Sequence, residues 1–313
     1  MTGTPSATGA PALGAPVALA EEDWTGRREA HRARVDALIG PHLERRTRGD
    51  AHPVLDFLFT YYSLRPAQLR RWHPGFGVRL EGDAAREYWE YSGYRRVDAP
   101  EGSVSERSVA EVNPTVLTQR RSMLEFTARL LDATASRPAQ LGCFGLHEWA
   151  MVYRGGDEAV RHSGTPLRLG PGGTDAVVES MNLRCTHFDA FRFFTDDAVP
   201  RNEIPLRRED QAAREQPGCL HAGMDLYKWA YKLAPLVDSE LTVDCFELAV
   251  AARELDMRAS PYDLSALGYE PVPIETATGR ADYVRAQSAL AERAAPLRAA
   301  LLDVCRVLLS HAG

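Results

Sequence analysis

Three histidines in this chain each follow a cysteine at short range and lie close to a carboxylate. Cys143 and His147 are followed by Glu148, Cys185 and His187 by Asp189, and Cys219 and His221 by Asp225. Imidazole and carboxylate are the ligands that non-haem iron, manganese and zinc share, and a face of two histidines and one carboxylate leaves positions open for substrate or oxygen. A metal site gathered from the three segments would draw on His147, His187, Asp189, His221 and Asp225. His187 and Asp189 point the same way if their segment is a strand; His221 and Asp225, four apart, share a face if theirs is a helix. The plainer account of the pattern is a packed core, because cysteine is among the most buried residue types and a histidine beside it needs only a hydrogen-bond partner.

The same groups fit another reaction, hydrolysis of an N-glycosidic bond, with Asp225 or Asp189 as the carboxylate and His187 and His221 as neighbours. Trp149, Tyr153, Phe191, Tyr227 and Trp229 would then stack on the base, and no cofactor is required. Aromatic residues at helical spacing equally well fill a core. Arg65, Arg70, Arg71 and His73 gather near Tyr61, Tyr62 and Trp72, types that can grip phosphates and stack bases, or simply cover apolar surface with arginine stems. Asp244, Glu247, Glu254 and Asp256 read as a solvated helix face, and Glu148 as a surface carboxylate.

The elements that must position these groups read as mainly helical. Residues 21–48 open with Glu21, Glu22 and Asp23 and close with Arg45, Arg46 and Arg48, the charge order that suits a helix dipole, with Pro41 as a possible break. Helices are also expected over 52–62, from Pro114 through Leu131, 139–153, 174–181, 218–234, 239–257 and 279–311, the last kinked at Pro296. The glycine-interrupted aromatics of 77–97 point to short strands or an ordered loop, and the period-two alternation of 183–194 to a strand or extended segment, with an aromatic helix as the alternative. The expected architecture is a disordered tail over 1–20 and one compact, mainly helical domain over 21–313, decorated with a few short strands.

Composition narrows the function classes. Of 43 acidic and 37 basic side chains, 19 of each fall in residues 1–150, so the net charge of -6 belongs to the second half and a broad nucleic-acid-binding face is not expected. Charged residues interrupt every apolar stretch, so no membrane span is expected. Five cysteines, an odd number in a chain large enough to fold without staples, read as reduced thiols and so as a cytoplasmic protein. The expected partner is a small-molecule or nucleobase-containing substrate.

The stretch from His52 to Gly75, Leu146 to Arg154, Thr186 to Phe194, Cys219 to Trp229 and Leu255 to Leu264 together resemble an actinobacterial family labelled 3-methyladenine DNA glycosylase, over most of residues 25–305. The resemblance implies a DNA-repair hydrolase that releases an alkylated purine. The chain carries neither a Leu-Pro-Gly-Val-Gly-like hairpin with its following aspartate nor a terminal Cys/His zinc clasp, so the carboxylate and stacking residues for that reaction are those named above. Three functions are thus in view: that hydrolase, a metal-dependent oxidoreductase or hydrolase using iron, manganese or zinc, and a binding protein without catalysis.

Overall fold

A computed structural model describes residues 16–97, 108–155 and 165–312. The chain is mainly helical, with one small sheet. Strand β1 (Val17–Leu19) leads into helix α1 (Glu21–Arg48), which runs unbroken through Pro41. The short helices α2 (Phe57–Thr60) and α3 (Pro66–Leu69) precede β2 (Val78–Glu81), a 3-10 helix over Asp83–Glu90, β3 (Tyr94–Val97) and β4 (Val109–Val112). The remaining helices are α4 (Thr115–Ala135), α5 (Leu146–Ala150), α6 (Gly170–Ser180), α7 (Phe188–Phe191), α8 (Gln211–Arg214), α9 (Leu220–Leu233), α10 (Ser239–Arg258) and α11 (Ala277–His311).

The sheet has the order β1-β2-β4-β3, with β1 parallel to β2 and the other pairs antiparallel. Its register sets Glu111 of β4 opposite both Arg79 and Arg95, whose guanidinium nitrogens approach its carboxylate to 2.8 and 2.9 Å. Opposite charges on directly paired positions reward this register and penalise a one-residue slip. Leu80 of β2 is fully buried, and Tyr88 of the 3-10 helix meets the edge of Trp24 of α1, which stacks on Trp72.

Helix α9 is the axis of the molecule. Every residue from Leu220 to Ala230 is buried, and α4, α10 and α11 pack around it. A helix enclosed on all sides must find partners for any polar group it carries. Here those groups fall on one stripe, His221, Asp225, Lys228 and Lys232, at spacings of four, three and four.

Several expectations are corrected. Val17–Leu19 is an ordered strand rather than part of a disordered tail, while residues 1–15 lie outside the described residues. The 139–153 helix shrinks to Leu146–Ala150, because Phe144 and Gly145 both take positive φ and turn the chain just before it. Residues 183–194 form no strand: Leu183 makes one isolated bridge to Asn202, and α7 begins immediately after His187. Likewise 52–62 is helical only at Phe57–Thr60. The final helix, by contrast, runs through Pro296 as expected, over Ala277–His311.

Candidate metal centre

Three segments bring the polar groups to α9, and buried amides hold each in place. Gln216 accepts from the backbone N–H groups of Gln140 and Gly218, at 2.8 and 2.7 Å. Asn202 brackets Cys185 by accepting from its N–H at 2.8 Å and donating to its carbonyl at 3.1 Å. Gln287 of α11 donates to the Gly218 carbonyl at 2.7 Å and lies 3.3 Å from Cys143 Sγ. The Trp149 indole N–H donates to the Ala259 carbonyl at 2.8 Å and ties α5 to the end of α10. Gly145 gives α5 its entry: at φ 68° it sits in the left-handed region, against Ala259 and Tyr283.

The result is two buried sets of ligand-type side chains. In the first, one ligand atom from each of His147, His221 and Asp256 lies within 4.8 Å of the others; in the second the same holds for His187, Glu215 and Asp225. The His221 ring joins them, its centroid 4.5 Å from that of His147 and 5.2 Å from that of His187. His147 Nε2 is 2.9 Å from Asp256 Oδ1, yet neither atom makes an aligned hydrogen bond. His187 Nε2 is 3.3 Å from Glu215 and 3.4 Å from Asp225, again without alignment, and its Nδ1 is also unpartnered. Buried imidazole and carboxylate atoms in contact but not aimed at each other have the arrangement of ligands directed at a shared third point.

Charge in the two sets does not balance. Arg253, wholly buried, reaches Glu148 at 2.6 Å and Asp256 at 3.0 Å with the same Nη1, one cation against two carboxylates. Lys228 reaches Asp225 at 2.7 Å and also Asp189, which Arg208 shares, at 3.2 Å; with Glu215 in the same set, one cation again faces two carboxylates there. Each set therefore keeps one negative charge to be offset by an imidazolium proton or by a bound cation. Burial alone would lower His147 and His187, but the charges of Asp256 on the one and of Glu215 and Asp225 on the other raise both above the usual histidine range. Burial and the neighbouring His147 push His221 well below that range, so it stays neutral, the form in which an imidazole binds metal. Burial raises Glu215, helped by Asp225, whereas Lys228 and His187 overcome burial to hold Asp225 below the carboxylate range.

Beside the first set is a cavity of about 20 Å³, bordered by His147 and His221, the thiols of Cys143, Cys185 and Cys219, and Tyr283. It has room for about one water or an ion. Burial raises all three thiols, Cys185 to about 12, so they are protonated. All five cysteines are free.

Of the residues singled out from the sequence, His147, His187, His221 and Asp225 converge. Asp189 lies outside both sets: because α7 starts at Phe188, its carboxylate turns to Lys228 at 3.2 Å and Arg208 at 3.3 Å. Trp149, Tyr153, Phe191, Tyr227 and Trp229 are buried in the core, and none borders the cavity. Glu148 is buried on Arg253 rather than at the surface, and Asp256 is fully buried rather than solvated. Asp244 and Glu247 do face outward, pairing with Arg34. Sequence reading assigned no site role to Glu215 or Lys228, placed Asp256 on a solvated face, and grouped Tyr62, whose hydroxyl donates to Asp225 at 2.9 Å, with the arginine cluster instead. Asp256 had a signal: Cys245, Ala249, Ala252 and Asp256 follow the helical period of the buried face of α10. No protein-family model, curated protein or solved structure matches the chain.

Proposed function

We propose that this protein is a metal-dependent enzyme, an oxidoreductase or hydrolase, with His147, His221 and Asp256 holding iron, manganese or zinc. The observation that carries this reading is the unaligned 2.9 Å contact between His147 Nε2 and Asp256 Oδ1 beside a neutral His221. Two histidines and one carboxylate form the donor set that leaves coordination positions open, and an ion there would supply Lewis acidity or one-electron chemistry. His187, Glu215 and Asp225 either hold a second ion or serve as the neighbouring proton store. Arg253 keeps Asp256 oriented through its Oδ2, which leaves Oδ1 toward His147. The cavity at His147 and His221 admits water or a diatomic molecule to the open side, and the surrounding apolar residues keep bulk solvent away.

Release of an alkylated base, the activity implied by the glycosylase resemblance, has less support in this geometry. It calls for a carboxylate free to face a sugar, and both oxygens of Asp225 are engaged, one by Tyr62 and the other by Lys228.

Elemental analysis of protein purified without a histidine tag tests the proposal. Iron, manganese or zinc near one equivalent per chain is expected, falling at least tenfold in Asp256→Asn, which keeps the side-chain shape. Metal-free protein that also shows no rise in melting temperature when each of the three ions is added would overturn it.

A further inference from the structure

A second cavity, far larger than the first at about 410 Å³, opens at the other end of the polar stripe of α9. It lies between the segment after α3, the loop at Ser92 and Gly93, the first turns of α4 and the junction of α9 with α10. Arg71, Arg120 and Lys232 border it, and no bordering residue is acidic. None of these three cations has an ion-pair partner among the described residues, although most arginines around them are paired, as in Arg70 with Asp36 and Arg34 with Asp244. An acidic protein that collects three cations without ion-pair partners around one concavity creates a local positive field that attracts an anion.

The cations are also held in place. The Arg71 guanidinium stacks on the Tyr91 ring, 3.8 Å from its centroid. Arg120 donates to the Lys232 carbonyl at 2.8 Å. Lys232 approaches the Trp229 ring, and burial together with the neighbouring Lys228 lowers its pKa, an effect that Asp225 and Asp189 only partly offset. Arginine forks fixed in this way match the oxygen geometry of phosphate, and a third cation suits a dianion better than a monoanion. Ser92, Gln119 and Tyr231 offer neutral polar and ring surface for the rest of a molecule, in a volume suited to a small metabolite.

We infer that this cavity binds a small phosphate monoester through Arg71, Arg120 and Lys232, at a site separate from the proposed metal centre. Lys232 follows His221 by eleven residues, about 16 Å along the helix axis, so the two sites do not share ligands.

Calorimetric titration of the full-length protein at fixed ionic strength tests this, with phenyl phosphate, inorganic phosphate and benzoate as probes. Saturable binding of phenyl phosphate is expected, at least tenfold tighter than of benzoate, and at least tenfold weaker in both Lys232→Gln and Arg71→Gln. Lys232→Gln gives up only a peripheral approach to the Trp229 ring and relieves the repulsion from Lys228, so it should fold, and an unchanged circular dichroism spectrum and melt would verify that. No saturable heat with phenyl phosphate, equal affinity for benzoate, or affinity unchanged in folded Lys232→Gln overturns the assignment. Inorganic phosphate binding that is likewise lost in the variants places recognition in the phosphate group and supports it.

Discussion

Arg253 and Lys228 carry the largest electrostatic burden at the scale of single residues, because each is the cation that makes two buried carboxylates tolerable. Arg253 is the more exacting case: its Nη1 serves Glu148 and Asp256 together, and its guanidinium stacks on Phe57, 3.9 Å from the ring centroid. Replacing it by methionine fills similar space but strands two charges in a medium where each costs several kcal/mol. Arg253→Met should therefore lose about 3–5 kcal/mol of stability, read from urea unfolding. Adding Glu148→Gln in the same chain should recover a measurable part, because one stranded charge is gone; strictly additive losses in the two variants would show that Arg253 and Glu148 do not interact as described. Asp256 shows why this network was hard to see in the sequence. Three of its acidic companions on α10, Asp244, Glu247 and Glu254, are at the surface, and an aspartate among them reads as solvated until the helix is known to be buried on both its α9 and α11 sides.

Among elements, the long helix α11 depends on how tightly its first turn is set against the preceding loop. Thr276 caps it, accepting from the Gly279 N–H at 2.9 Å, and a Cβ at position 279 would collide with the Pro273 carbonyl. Gly279→Ala should cost about 2–3 kcal/mol, since the neighbour is backbone and cannot swing aside, whereas Thr276→Ala should cost about 1 kcal/mol. Thermal unfolding of both variants measures this, and a Gly279→Ala protein as stable as wild type would refute the close approach. The long helices were legible from their charge order in α1, from apolar period in α4 and α9, and from apolar period with a side-chain N-cap in α10 and α11. The site-bearing connections were not. Residues 183–194 alternate polar and apolar because a turn and one turn of helix happen to place Cys185, His187 and Phe191 inward, a pattern that period alone cannot distinguish from a strand. The stripe of α9 was half legible: His221 and Asp225 share a face as their spacing demands, but only the neighbouring chain decides that they belong to different sets.

For the molecule as a whole, groups remote from the proposed metal centre should make stability depend on acidity in two stages. Burial keeps His73 neutral, with its pKa lowered to about 3, and lowers His31 as well, whereas both take up protons near the usual histidine value once unfolded. The unfolded chain therefore binds more protons, and stability present above about pH 6.5 is lost progressively as pH falls. Burial would raise Glu111 and Glu275, yet contact with Arg79 and Arg95 in the one case and Arg168 in the other holds both below the usual carboxylate range. Their contribution is complete above the ordinary glutamate value near 4.5 and disappears as pH falls through the lowered folded value, at no more than about 1.4 kcal/mol per pH unit for each group. Glu111 joins strands β2, β3 and β4, so its loss touches the whole sheet. Glu111→Gln should cost about 1 kcal/mol at pH 7, a deficit that shrinks as pH falls below the ordinary glutamate value near 4.5, with the slope between pH 7 and pH 5 unchanged because His73 and His31 remain. Comparing urea midpoints of the two proteins in the same buffers cancels any contribution of bound metal, and a difference that stays constant from pH 7 to pH 3 would show that Glu111 carries no lowered pKa in the folded sheet.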